Sequence, residues 1–198
     1  MDIGLEFDRT AGACAAIFSD KMHDYGATWA VFRLPSLIDQ IWIKILRVRT
    51  LEETGVSQVG EGRADEFAGI FNYCVIALMR RRAGASLPCP DEIVLSPELA
   101  GQITPERALE AYRAETDALR ALMLKKNADY GGAWRSMDLR SITDQIIVKL
   151  MRIRHILDNG ERLLASEDIG SQLSDIANYS VFALLRLRGG ADTEAHNA

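Results

Sequence analysis

Apolar residues in the first stretch of the chain fall at Phe7, Ala11, Cys14, Ala15, Phe18 and Met22. This three-and-four spacing puts side chains on one face of a helix. The helix is expected to end at the Asp24-Tyr25-Gly26 turn, where glycine can take positive φ. A second helix is predicted from near Pro35-Ser36, because Ser36 can cap it and Pro35 cannot continue a preceding one. Its body, Leu37 to Leu51, is apolar around most of its circumference, which predicts a central position. The stretch Thr54 to Gly62, with Gly55, Gly60 and Gly62, reads as a loop, and a third helix follows over about Arg63 to Arg82.

The same text then recurs. Lys21, Asp24, Tyr25, Gly26 and Trp29 return 105 residues later as Lys126, Asp129, Tyr130, Gly131 and Trp134. Ser36, Asp39, Gln40, Ile41, Lys44, Arg47 and Arg49 return at the same offset as Ser141, Asp144, Gln145, Ile146, Lys149, Arg152 and Arg154; with Leu34 against Leu139 these make 13 identities over the 29 positions from Lys21 to Arg49. At an offset of 106, Asn72, Tyr73, Val75, Ala77, Leu78 and Arg80 return as Asn178, Tyr179, Val181, Ala183, Leu184 and Arg186. A period this long means two copies of a small domain rather than a solenoid. The second copy predicts helices over about 105–127, 140–158 and 167–188, opened by the cap-and-proline pair Thr104-Pro105. No segment alternates like a strand. The expected fold is therefore all-α: an internally duplicated three-helix unit packed as a pseudo-twofold helical bundle. The first repeat spans 1–83, a Pro- and Gly-containing linker 84–104, the second repeat 105–190, and a small polar tail that frays 191–198.

Composition adds exclusions. A net charge of −5 argues against binding duplex DNA through its backbone, which needs a basic field. No apolar run reaches the roughly 18–20 residues that span a membrane, and the N-terminus lacks the layout of a signal peptide. Cys14, Cys74 and Cys89 show no metal-ligand spacing, and reduced cytoplasmic thiols are expected.

Candidate chemistry lies in what both copies kept. On a wheel of the second helix, Ser36, Gln40, Lys44 and Arg47 form a polar stripe, while Asp39 and Arg49 interrupt the apolar sector; Asp144 and Arg154 repeat this. An inward charge must be paired, hydrogen-bonded or metal-bound. Asp39 and Asp144 are thus candidates for metal or substrate contact, or, from the Ser-x-x-Asp spacing, for capping and buried pairing with an Arg of the other copy. Lys44, Lys149, Arg47 and Arg152 either face solvent or bind an anion, and Lys21 and Lys126 can reach the same cleft. On the third helix Glu66, Gly69 and Tyr73 share a face with Asn72 beside them, against Gln172, Asp175, Tyr179 and Asn178 in copy two. A Glu-x-x-Asp pair suits Mg²⁺, and here each copy retains one member. Either one composite site uses Glu66 and Asp175, or each site has lost an acid. Asn72 and Asn178 also suit plain core hydrogen bonding. Trp29 and Trp134, with Tyr25 and Tyr130, suit core or lid positions or the covering of a base.

The Lys-x-His-Asp-Tyr-Gly-x-x-Trp run, Ser-Leu-x-Asp-Gln-Ile-x-x-Lys, Val-Gly-Glu-Gly and Glu66-Phe-x-Gly-Ile-x-Asn-Tyr resemble the nucleotide-modification-associated domain 1 family of bacteria and phages, over both copies from about Phe18 to Leu187. More distantly the chain is similar to all-α nucleotide pyrophosphatases of the MazG and dimeric dUTPase type, in which Glu-x-x-Glu and Glu-x-x-Asp motifs bind Mg²⁺. This chain departs from them: it has no Glu-x-x-Glu in its second helices, and its Glu-x-x-Asp is split between copies. Beside this resemblance, the duplicated acids and bases on inward- or cleft-facing arcs lead to the expectation of a nucleotide ligand, with magnesium held by Glu66, Asp175 and one or both of Asp39 and Asp144, and phosphates met by Lys44, Lys149, Arg47 and Arg152. The leading expectation is a nucleotide-binding protein, open to acting as a Mg-dependent nucleoside triphosphate pyrophosphohydrolase linked to nucleotide or DNA-base modification. The alternatives are a non-enzymatic nucleotide-binding or accessory module and a purely structural scaffold. Its apolar central helices also leave room for a homodimer.

Overall fold

A computed structural model of the chain describes residues 2–57, 60–81, 96–160 and 168–196. All regular structure among them is helical, with elements in the order α1 (Ile3–Tyr25), α2 (Leu34–Thr54), α3 (Arg63–Arg81), the short α4 (Pro97–Ala100), α5 (Pro105–Tyr130), α6 (Leu139–Asp158) and α7 (Ile169–His196). A 3-10 turn bridges α1 to α2 at Thr28–Val31, and another bridges α5 to α6 at Ala133–Ser136.

Each copy folds its second and third helices into a hairpin, α2 on α3 and α6 on α7. The copies then meet through equivalent elements: α3 packs on α7, α2 on α6 and α1 on α5. That pairing is the pseudo-twofold arrangement the duplication predicts. One continuous core fills it, with Phe7, Phe18, Phe67, Phe71, Ile41 and Leu37 from copy one meeting Tyr112, Leu119, Met123, Ile146 and Leu173 from copy two.

Several local expectations need correcting. α2 starts at Leu34, with Arg33 as its cap residue and no side-chain cap bond, so Ser36 lies inside the helix. Proline close to the helix start is tolerated because the missing N–H has no partner there. In α6 the cap is Asp138, which accepts from the Arg140 N–H at 2.8 Å. Asp39 and Asp144 therefore close no capping box. The most deeply buried helix is α3 rather than α2: α3 buries residues nearly all round, whereas Ile43 and Leu46 of α2 stay exposed, as do Val148 and Met151 at the equivalent positions of α6. The third helix of copy two continues through the expected fraying tail as far as His196. Residues 84–95 of the expected linker, and Cys89 with them, lie outside the described residues.

Candidate functional site

Each copy encloses its own cavity, between the end of its first helix, the 3-10 turn and its third helix. The copy-one cavity, about 550 Å³, is lined by Lys21, Tyr25, Trp29, Lys44, Glu66, Gly69, Asn72 and Tyr73. The copy-two cavity, about 400 Å³, is lined by Lys126, Tyr130, Trp134, Asp175, Asn178 and Tyr179. Both volumes suit a small molecule. Glu66 and Asp175 thus belong to two separate cavities, and a composite site built from both is not formed.

The charges are organised differently in the two copies. In copy one Glu66, 2% exposed, pairs with Lys44 Nζ at 3.2 Å and with the Arg47 guanidinium; Arg47 also donates to Glu61 Oε2 at 2.9 Å. Lys44 reaches Glu66 by lying across Gly69, where an added Cβ would stand 2.7 Å from Lys44 Cε. In copy two the acid sits one helical turn on. Asp175 holds Lys149 Nζ at 2.6 Å through one oxygen and Lys126 Nζ through the other. Gln172, at the place of Glu66, is buried. The Gly69/Asp175 exchange and the Glu66/Gln172 exchange are therefore two solutions to one problem, neutralising the lysine that both copies kept on the second helix. One cation has no such partner: Lys21, the counterpart of Lys126, is solvent-facing on the copy-one cavity and makes no hydrogen bond or ion pair among the described residues.

The aromatic residues follow the same asymmetry. Trp29 and Trp134 are both 7% exposed. Trp134 Nε1 donates to Asn127 Oδ1 at 3.3 Å, and Trp29 Nε1 to Met22 Sδ at 3.0 Å. Trp134 is stacked on Phe182, with centroids 4.5 Å apart and planes 6° apart, and carries the Arg135 guanidinium 4.4 Å from its centroid. Trp29 meets Phe18 at 6.0 Å and 50° and has Ala30 where copy two has Arg135. Tyr25 and Tyr130 stand exposed at the two rims. The Tyr179 phenol is pushed above its ordinary range by burial first and the Asp175 charge second, so it stays a hydrogen-bond donor.

The asparagines are core groups reaching the cavity wall. Asn72 Nδ2 donates to the Cys14 carbonyl at 3.1 Å, and Asn178 Nδ2 to the equivalent Leu119 carbonyl at 3.4 Å. Asn72 Oδ1 accepts from the Tyr112 hydroxyl at 2.6 Å, whereas Asn178 Oδ1 is buried without a partner. The residue equivalent to Tyr112 is Phe7, which has no hydroxyl to offer.

The aspartates of the second helices are elsewhere. Asp39 is exposed and pairs across the copies with Arg154 Nη2 at 2.7 Å, and that guanidinium lies 4.3 Å from the Trp42 ring centroid. Asp144 is exposed as well, and neither aspartate lines either cavity. The inward placement read from the helical wheel is thus corrected: the apolar sector narrows at the α2–α6 contact, and both residues fall on its solvent edge. Arg152 is exposed and lines neither cavity. The four acids expected to hold magnesium are not brought together, and no group of three or more His, Cys, Asp or Glu side chains arranged for a metal exists among the described residues. Glu66 and Asp175 already have each oxygen on a cation, so these residues do not fit a resident Mg²⁺.

Sequence reasoning missed Glu61, Asp65, Asn127, Arg135 and Phe182. Asp65 accepts from the Gly62 N–H at 2.8 Å and so sets the start of α3. Arg135 and Phe182 were readable as mismatches to Ala30 and Ile76 once the copies are aligned.

Fold and cavities together define a tandem all-α protein in which each repeat builds a pocket walled by Lys, Tyr, Trp and Asn. The chain belongs to the nucleotide modification associated domain 1 family, whose model matches it twice, over residues 21–80 and 126–187. Each match covers the pocket-forming part of one repeat. No curated protein and no solved structure matches the chain. No helix among the described residues is long and apolar enough to cross a membrane.

Proposed function

We propose that the protein is a nucleotide-binding module whose working pocket is that of copy one. The observation carrying this reading is Lys21, a cation without a partner among the described residues, on the rim of a 550 Å³ cavity whose other charges are all engaged. Lys21 and the nearby Lys44 ammonium would meet phosphate oxygens as point charges. Tyr25 and Tyr73 would flank the base, with the Trp29 edge as floor. The family's association with nucleotide modification points to the same ligand class.

Binding without hydrolysis is favoured over a pyrophosphohydrolase because the acids that would hold the metal are tied to Lys44, Arg47, Lys126 and Lys149. Magnesium enters this reading only as the cation that accompanies a nucleoside triphosphate. The test is a panel of ribo- and deoxynucleoside triphosphates with Mg²⁺, following thermal shift and phosphate or pyrophosphate release on the wild type and on Lys21→Met. A stabilising shift that shrinks at least several-fold in Lys21→Met, without release, is expected. Turnover abolished by Glu66→Gln would replace the reading with the hydrolase, and no shift with any nucleotide would end it.

A further inference from the structure

The two pockets descend from one design but are not equally available. We infer that each chain offers a single free anion-binding position, in the copy-one cavity, and that the equivalent position in the copy-two cavity is taken by the chain itself, Asp175 standing where the anionic group of a ligand would stand. The inference rests on the phosphate-binding reading for the nature of the anion. The asymmetry itself rests on a comparison of equivalent positions.

In copy two the Asp175 carboxylate lies between Lys126 and Lys149, one oxygen on each ammonium. Two lysines converging on two oxygens of one anion is how a phosphoryl group would be held. In copy one the equivalent cations are Lys21 and Lys44, and the equivalent of Asp175 is Gly69, which has no side chain at all. Lys44 leans over Gly69 toward Glu66, and Lys21 has no carboxylate partner among the described residues. The aromatic walls differ in their partners: Trp134 is stacked on Phe182 and carries Arg135, where the equivalent positions of copy one are Ile76 and Ala30. Both tryptophans are equally buried, so the difference in availability lies in the charges: where Asp175 joins the two lysines of copy two, copy one has Gly69.

The exchange can be written into the protein. Gly69→Asp puts a Cβ against the far end of the Lys44 side chain, a flexible group that can move to the new carboxylate as Lys149 does to Asp175. Asp175→Ala frees Lys126 and Lys149. The experiment is calorimetric titration of wild type, Gly69→Asp and Asp175→Ala with inorganic pyrophosphate and, separately, with ATP. Expected are one equivalent of pyrophosphate per wild-type chain, at least tenfold weaker binding to Gly69→Asp, and two equivalents for Asp175→Ala. Because Asp175→Ala leaves Lys149 buried without its partner, its melting temperature should fall and recover with pyrophosphate. Should that variant fail to fold, the Gly69→Asp result decides alone. Two equivalents on the wild type, unchanged affinity in Gly69→Asp, or no pyrophosphate binding at all would overturn the inference. The two readings separate cleanly: one equivalent of pyrophosphate with ATP binding no tighter keeps the single pocket and removes the nucleotide. ATP binding at two equivalents does the reverse.

Discussion

The Tyr112 hydroxyl donates to Asn72 Oδ1 at 2.6 Å, joining the α5 helix of copy two to the third helix of copy one. Both residues are buried, and the same asparagine anchors α1 through the Cys14 carbonyl. Tyr112→Phe would leave Asn72 Oδ1 without a donor, as Asn178 Oδ1 already is opposite Phe7. The expected cost is about 1–3 kcal/mol, the usual penalty for orphaning a buried polar atom. For a chain of this size that lowers the thermal midpoint by roughly 2–10 °C. A melt with unchanged midpoint would contradict the assignment.

Glu66 divides a structural role from a catalytic one. Its carboxylate, 2% exposed, neutralises Lys44 and Arg47. Glu66→Gln removes that charge and should destabilise the fold by about 3 kcal/mol, the low end for breaking a buried pair, since both cations keep some contact with water. Thermal or urea denaturation reads this directly. A variant as stable as wild type would return Glu66 to the list of groups held in reserve for a ligand or metal.

Alkaline stability should be poor. Burial pushes the Cys14 thiol from its ordinary 9.0 to about 12 and raises the Cys74 thiol and the Tyr112 phenol as well. Raised pKa values in the fold mean that the protonated groups contribute stability in full below pH 9, and that it is lost as pH climbs toward the folded values. Between pH 9 and about 12 each such thiol should cost up to about 1.4 kcal/mol per pH unit. Midpoints measured from pH 8 to 11 should fall, more shallowly in Cys14→Ala. A flat profile in the wild type would show that these groups are not buried as described. The same burial predicts that Cys14 and Cys74 resist a thiol reagent in the native state.

Asp39→Asn tests the corrected position of the second-helix aspartates. The Asp39–Arg154 pair is largely exposed, with 61% of the aspartate side chain open to solvent. Such pairs contribute about 0–1 kcal/mol. The variant should bind ligand as the wild type does and melt within a few degrees of it. A tenfold loss of affinity would put Asp39 back in the site.

Much of this fold could be read from the chain alone. The offsets of 105 and 106 gave away the duplication, and the apolar spacing placed the long helices within a few residues, except that α7 runs eight residues past its expected end, to His196. Helix starts were read less well, because Ser36-x-x-Asp39 has the spacing of a capping box while Arg33 and Pro35 open the helix. Lys21, Lys44 and Lys126 and the candidate tyrosines and tryptophans line the two cavities, whereas Lys149 lines neither and reaches the cavity residue Asp175. Which acid serves which lysine was not legible, since it depends on Lys44 lying across Gly69, a contact between helices. Asp39 and Asp144 were misplaced for a related reason. A helical wheel gives the direction of a side chain but not the edge at which the neighbouring helix stops covering it. The Tyr112–Asn72 bond lies between residues 40 apart in different copies, and no local pattern announces it.

The most direct test of the open copy-one pocket is NMR of the ¹³C-dimethylated lysines during titration with a nucleoside triphosphate. The Lys21 and Lys126 signals would be assigned from Lys21→Met and Lys126→Met. The Lys21 signal should move saturably while the Lys126 signal, held on Asp175, stays where it is. A titration that leaves Lys21 unmoved, or that moves Lys126 in its place, would contradict the account.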